Sequence, residues 1–358
     1  MSGGRYSIVP GDPRANRLDV LALAIRNRPG PERRLELKYG KYYESNPLGP
    51  PTIFFALDNE SESFVGMAAL FPTGLRVSGE LVPAAVSADF AVDAAHRGFG
   101  PAVALQRATL SALSERNLKC AFGSPNKSSE PIVNRAGFAD VGRMTRFVKI
   151  LTARPLVDRY IRRPALASLV SIAANPLISV VSRERLYRRT PRFSVEEPDA
   201  FDDRFVTLWD VARRQQAIIS ERSADILNWR YEKTGPIEAR RKYSIFALVD
   251  GTHVAGYIVY LLSDDVRLIY DIVCLPTKPV IDALLSEFIL DARAQKATAI
   301  NLSYLGPSNL LTRRLRAFGF HERSADYGLR VYVDGESPLG VDLLDRQNWY
   351  FLMGDTDF

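Results

Sequence analysis

Residues 86–108 read "VSADFAVDAAHRGFGPAVALQRA". The first seven alternate in the way of a half-buried strand, and from Pro101 to about Arg116 the residues are good helix formers. Between them stands a turn carrying Arg97, Gly98, Phe99 and Gly100. Pro101 suits a first helical turn, where its missing N–H costs no helix bond. Positions 102, 105, 109 and 113 of that helix would face a sheet. A strand that breaks through glycines into a helix gathers free backbone N–H groups at the positive end of a helix dipole, which is an anion site that needs no lysine. Arg97 adds charge. Neither a P-loop lysine nor a G-x-G-x-x-G dinucleotide fingerprint is present.

The chain around this stretch has 358 residues, 46% of them hydrophobic, which suits two cores better than one. A net charge of +6 fits a protein that meets anions. Cys120 and Cys274 stand far apart in apolar surroundings, and His96, His253 and His321 are scattered without ligand spacing. The expectation is a reducing, cytoplasmic setting with no disulfide framework and no metal. The N-terminal stretch "MSGGRYSIVPGDPRANRLD" lacks the apolar core of a signal peptide.

The two halves echo each other. "KYYESNP", "TIFFAL" and "FVGMAAL" recur in order as "NWRYEKTGP", "YSIFAL" and "VAGYIVY". Asp89 and Asp271, Pro125 and Pro307, and Gly137 and Gly319 are each separated by 182 residues. A constant offset over three markers predicts two diverged copies of one α/β (α+β) fold. Each copy is expected to hold a mixed, mostly antiparallel twisted sheet flanked by helices. The expected boundaries are 1–150 for the first, 151–195 for a basic helical linker, and 196–358 for the second copy with a docked tail.

From Arg146 to Arg192 there are eleven basic residues against Asp158 and Glu184, and 164–182 carries no charge. Pro164, Asn175 and Pro176 interrupt that run, and arginines flank it, so a helical hairpin packed on the domains is expected rather than a span. A basic element lying on an anionic membrane surface, at the inner face, is the alternative. No aromatic–basic sheet or recognition helix points to nucleic acid.

Arg97-x-x-Gly100-x-Ala102 resembles the acyl-CoA pyrophosphate loop of the GNAT superfamily of N-acetyltransferases. A second motif agrees: "GSPNKSSEPIVNRAGF" places Asn126 eleven residues before Gly137-Phe138, like the strand, asparagine and helix ending in Gly-Phe of that superfamily. The resemblance implies acetyl-CoA or another acyl-CoA as co-substrate. It implies a CoA site at Phe90, Ala91, Val92, Arg97, Gly98, Phe99, Gly100, Pro101, Ala102, Asn126 and Ser129. Family members commonly place a tyrosine four residues before the Gly of Gly-Phe as donor to the leaving thiolate; here that position is Val133. The second copy, "LIYDIVCLPTKPVIDALL", lacks the loop, and Pro276 and Pro279 remove N–H donors there. It is expected to shape the acceptor pocket or to brace the first copy.

Amide formation from a thioester needs a neutral amine and a group to take its proton, for which a carboxylate suffices. Asp89 is the first candidate base and Glu80 the second; the alternative for Asp89 is a strand-end carboxylate paired with an arginine. Asp93 is expected to be solvated. Arg222, Trp229, Arg230 and Tyr231 gather within ten residues and suit stacking on a sugar or holding an anion, and with Asp271 they are the candidate substrate-binding set. The tail "NWYFLMGDTDF" is aromatic and acidic enough to be docked, and Asp355 or Asp357 could lie near the acceptor. The expected activity is acyl-CoA-dependent N-acylation of a small-molecule primary amine. The resemblance to tandem proteins among surface-polysaccharide genes implies an amino sugar or a lipid-linked sugar. A non-catalytic CoA-binding scaffold is the alternative.

Overall fold

The computed structural model describes residues 4–28, 30–97, 99–153, 184, 192–231, 243–335 and 339–356. The first half begins with strand β1 (Tyr6–Gly11), helix α1 (Arg17–Asn27) and helix α2 (Glu32–Tyr39), the last running into one π-helical turn, Gly40–Glu44. Strands β2 (Thr52–Asp58), β3 (Ser63–Val77) and β4 (Glu80–Val92) follow as an antiparallel meander. Then come helix α3 (Phe99–Glu115), β5 (Cys120–Gly123), helix α4 (Glu130–Ala136) and β6 (Ala139–Ile150).

In the second half lie β7 (Phe193–Glu196), β8 (Ile218–Ser220), β9 (Ser244–Asp250), β10 (His253–Ser263) and β11 (Val266–Cys274). A helix at Lys278–Ala294, β12 (Ala299–Leu305), a helix at Leu310–Ala317, β13 (His321–Val333) and β14 (Trp349–Leu352) complete it.

Local chemistry explains the matching details of the halves. The β3–β4 hairpin turns through Ser78 and Gly79, and the β10–β11 hairpin through Asp264 and Asp265, all with positive φ, as two-residue turns that follow the strand twist require. Both central hairpins also carry a β-bulge at the corresponding place. In β4, Ala91 pairs Met67 but Ala88 pairs Ala69, so one residue is extra, and Asp89 there has φ +50°. In β11, Asp271 pairs Val259 but Ile269 pairs Tyr260. Gly137 and Gly319, 182 residues apart, both take positive φ after their helices, as a left-handed helix end prefers.

The sheet departs from two separate sheets joined by a linker. It is one 14-stranded sheet whose main path runs β1-β2-β3-β4-β5-β13-β6-β12-β11-β10-β9-β7. The last long strand of each half has crossed over: β13 pairs β5 of the first half, β6 pairs β12 of the second, and the two pair each other at the centre. The expected boundaries at 150 and 196 therefore do not divide the sheet. Pairing partners are nonlocal, and nothing in a β-pattern says which half a strand will join. Arg330 of β13, buried, reinforces the exchange by pairing Glu130 of α4 and Asp140 of β6 and donating from Nε to Asn134 Oδ1 at 3.1 Å.

The cores interlock as well. Phe147 and Leu151 from the first half join the large cluster around Phe246, Ile258 and Phe288, while Trp349, Phe351 and Val331 from the second pack with Leu75 and Phe122. Residues 154–183 and 185–191, and with them the expected hairpin, lie outside the described residues. Glu184 is buried and pairs Lys149 at 3.3 Å and Arg293 at 2.9 Å. Among the described residues no helix is long and apolar enough to cross a membrane.

Candidate active site

Strands β4 and β5 run parallel for only three pairs, Ala84–Val86 against Cys120–Phe122. Beyond Val86, β4 continues for six residues to Val92, while β5 ends at Gly123 and its chain leaves toward α4. The strands diverge there, so the β5 side of residues 87–92 offers backbone N–H and C=O groups to an extended guest. Gly123 lies at the fork, where a Cβ would stand 2.9 Å from the Ser87 carbonyl oxygen. The α3 N-terminus lies on one face of the sheet, and Ala102 and Leu105 anchor it on Ala56, Val65 and Ala68. Helices α1 and α2 cover the other face, with Leu23, Tyr39 and Tyr43 packed on Phe55 and Phe71.

At the turn, Arg97 is exposed and its Nε donates to the Val92 carbonyl at 3.1 Å, which sets the side chain beside the helix start. Gly100 is exposed, and a Cβ there would meet nothing within 4 Å, so its lack of a side chain keeps the approach to the helix end open. Pro101 and Ala102 are buried in the first turn. Gly98 and the Phe99 side chain lie outside the described residues. Ala91 and Val92 are buried and Phe90 is half-buried against the α3 cluster, so what these three present to the fork is backbone.

Asn126 opens the turn before α4: its Oδ1 accepts from Ser128 N and Ser129 N at 3.0 Å each and from Ser129 Oγ at 3.1 Å. Asn126 and Ser129 thus shape the start of α4 by bonding each other. Val133 is buried against Leu110, Leu113 and Phe138 and supplies no proton donor.

A hydroxyl not singled out in the sequence is Ser124 Oγ, buried and without a hydrogen-bond partner in the structure, at the first residue after β5. Its only signal in the sequence is a hydroxyl at the end of the mostly apolar stretch 118–124, "LKCAFGS". It is one of eight buried side-chain polar atoms without a partner among the described residues, and it follows β5 at the fork.

The candidate bases are placed otherwise than expected. Glu80 is exposed at the tip of the β3–β4 hairpin, opposite Val77, and nine residues of strand, about 30 Å, separate it from Asp89. Hairpin geometry removes it from the fork. Asp89 is buried at the bulge and pairs Arg28 at 2.6 Å and Lys38 at 2.7 Å, and it accepts from Tyr43 Oη at 2.8 Å. Burial would raise this carboxyl, but Lys38, Arg28 and the hydrogen bonds outweigh it and hold the group well below the ordinary carboxylate range. A carboxylate so stabilised is a poor proton acceptor; it ties α1 and α2 to the bulge. Asp93 is half-buried rather than free, pairing Arg26 at 2.9 Å and accepting from Asn27 at 2.5 Å.

On the α1/α2 face, at Val86 where the fork opens, lies a recess lined by Tyr42, Phe71, Thr73, Val86, Trp229 and Arg230 and closed by Asp355 and Thr356. It is a shallow recess of about 40 Å³, partly open to solvent. Trp229 and Arg230 of the candidate substrate set thus reach it. Arg222 and Asp271 do not: they lie beneath, fully buried, with Arg222 Nε 3.0 Å from Asp271 and Nη2 2.9 Å from Asp355. Tyr231 is buried with its hydroxyl unpartnered. Burial pushes the Asp271 carboxyl up, against Arg222 and with the Asp355 charge. Burial also pushes both thiols, Cys120 and Cys274, up to about 12, so neither supplies a nucleophile near neutrality.

The corresponding fork of the second half is filled by the chain itself. Strands β11 and β12 diverge after Ile269 and Leu302, and β14 pairs β12 at Tyr304 and Leu305 while Tyr350 Oη donates to the Ile272 carbonyl at 2.5 Å. The docked tail expected from the sequence is therefore a strand. It leads Gly354, Asp355 and Thr356 to the recess.

Residues 16–141 match the family model described as an acetyltransferase (GNAT) domain. This segment is a GNAT acetyltransferase domain. The GNAT domain contains the fork, the α3 turn, Asn126 and Ser129. Over the longer chain the fold resembles a probable N-acyltransferase from Enterococcus faecalis (TM-score 0.64, 13% identity, 92% of this chain and 73% of that one). A GCN5-related N-acetyltransferase from Anabaena variabilis is equally similar (0.64, 14%, 92% and 73%). N-myristoyltransferase from Saccharomyces cerevisiae, solved with bound myristoyl-CoA, shares the fold at TM-score 0.56 (10%, 93% and 80%). No curated protein sequence matches.

Proposed function

We propose that the protein transfers an acyl group, most simply acetyl, from CoA to the primary amine of a small molecule. The observation that carries this reading is the fork. An open strand edge along 87–92 leads from the α3 N-terminus on one face of the sheet to the recess at Val86 on the other. The pyrophosphate of an acyl-CoA fits the α3 turn with Arg97, its extended arm fits the β4 edge, and the thioester then lies at the recess. The amine nitrogen attacks the carbonyl, the N–C bond forms and the C–S bond breaks. The proton lost by nitrogen passes to water, since Asp89 and Asp355 are both held in ion pairs. Ser124 Oγ is the hydroxyl we assign to hydrogen-bond the departing thiolate in place of the missing tyrosine.

Calorimetric titration of acetyl-CoA into the protein and into the Arg97→Glu, Gly100→Trp double variant tests the site. One binding site is expected, lost in the variant; the open space at Gly100 leaves room for the new side chain, so folding should survive. A folded variant with unchanged affinity sinks the assignment. The alternative, a CoA-binding scaffold without turnover, draws on the buried Val133 and is excluded by acetylation of any amine. Peripheral contact with an anionic membrane from the cytoplasmic side rests on the basic composition of 146–192 alone, and failure of the full chain to sediment with anionic vesicles would remove it.

A further inference from the structure

We infer that the acceptor presents its amine on a flat aromatic body and is taken in its uncharged form. The inference rests on the N-acyltransferase reading and narrows its acceptor, away from the amino sugar that the sequence suggested.

Three rings form the wall of the recess. Tyr42 meets Phe71 edge to face at 5.7 Å between centroids and Trp229 at 5.5 Å, with interplanar angles of 68° and 77°. Pro72 and Val86 extend the apolar wall. Trp229 is fixed rather than swinging, because its Nε1 donates to the Lys41 carbonyl at 3.1 Å. Such an angled set of faces and edges complements another ring, which gains edge-to-face contacts beyond its buried area.

The same rings are poorly placed to receive an ammonium. Lys38 Nζ lies 5.7 Å from the Tyr42 centroid, and Lys41 Nζ lies 5.7 Å from Tyr42 and 5.9 Å from Trp229. The protein's own lysines therefore occupy the cation–π positions, and a second cation would meet like charge. Arg230 adds another positive group to the lining. The one carboxylate in the lining, Asp355, accepts from Arg222 at 2.9 Å through both oxygens, from Arg230 at 3.3 Å and from Leu352 N at 2.9 Å. An ammonium thus finds no open counter-charge among the described residues. Nor does a sugar find a rich set of acceptors for its hydroxyls, since the carboxylate is spent and most of the wall is apolar. A neutral aryl amine loses little hydration on entering and leaves its nitrogen lone pair ready for the thioester.

Calorimetry with CoA-saturated protein compares 4-methoxyaniline, glucosamine and spermidine. The aryl amine should bind about tenfold or more tightly than the other two, and Trp229→Ala should remove that preference while Trp229→Phe, which keeps a ring, retains much of it. Equal or tighter binding of glucosamine or spermidine overturns the inference, as does a preference unchanged in a folded Trp229→Ala. Absence of binding by all three overturns it as well. Failure of the acyltransferase reading shows separately, as absence of acetyl-CoA binding in the preceding titration.

Discussion

Asp89 sits where a bulge turns β4, with φ +50° and three partners drawn from the residue after α1, from α2 and from the π-helical turn: Arg28, Lys38 and Tyr43. Two cations facing one buried carboxylate make it an organising centre, so removing the charge leaves both cations uncompensated. Asp89→Asn should cost about 3 kcal/mol or more in unfolding free energy, the usual result of breaking a buried pair from one side. The pH dependence has a defined sign. The folded carboxyl is held below its ordinary value near 3.9. Its stabilisation is therefore complete above that value and is lost as pH falls through the depressed folded one. Denaturant midpoints measured from neutrality down to acid should decline more steeply for the native chain than for Asp89→Asn. Parallel curves with equal midpoints would mean that the ion pairs contribute nothing.

The fork between β4 and β5 is an element-scale device, produced by a short parallel register followed by divergence, and Ser124 is the hydroxyl it buries without a partner. Ser124→Ala removes an unsatisfied buried oxygen, so stability should stay level or rise slightly. If that oxygen steadies the leaving thiolate, kcat should fall by about tenfold while KM for acetyl-CoA stays put, the signature of an interaction made in the transition state. A variant with native kcat would return Ser124 to a purely packing role.

What could be read in advance follows the same physics. The α3 helix was legible because Pro101 and the glycines punctuate a strong periodicity. The edge strands β1 and β7 and the three- and four-residue strands β8 and β14 were not, since so few residues fix no period and their pairing is decided by distant partners. Glu80 was a candidate only as a carboxylate a few residues before the predicted strand, and one long strand carries it to the far end from Asp89. Trp229 and Arg230 could be found by their company, whereas the burial of Arg222 depends on Asp271 and Asp355, which sequence distance hides.

At the scale of the molecule, the exchange of β6 and β13 decides how the chain must fold. A fragment ending at residue 153 contains the whole matched GNAT domain, yet it lacks β13, which separates β5 from β6 at the centre of the sheet. It also leaves Phe147 and Leu151 without the second half's cluster. Both edges would be exposed, and that of β5 is apolar as well, the condition that templates aggregation. A fragment from 154 onward, which keeps Glu184, has the converse defect, with β12 deprived of β6. Expressed alone, neither fragment should give a cooperative unfolding transition or bind acetyl-CoA. Co-expressed, the two should assemble and recover both, because the pairing that joins them consists of sheet hydrogen bonds and shared cores rather than the covalent link. A fragment 1–153 that is monomeric, cooperative and able to bind acetyl-CoA would show that the exchange is dispensable. The reciprocal rescue of two inert fragments would instead show that the second half completes the GNAT domain rather than accompanying it.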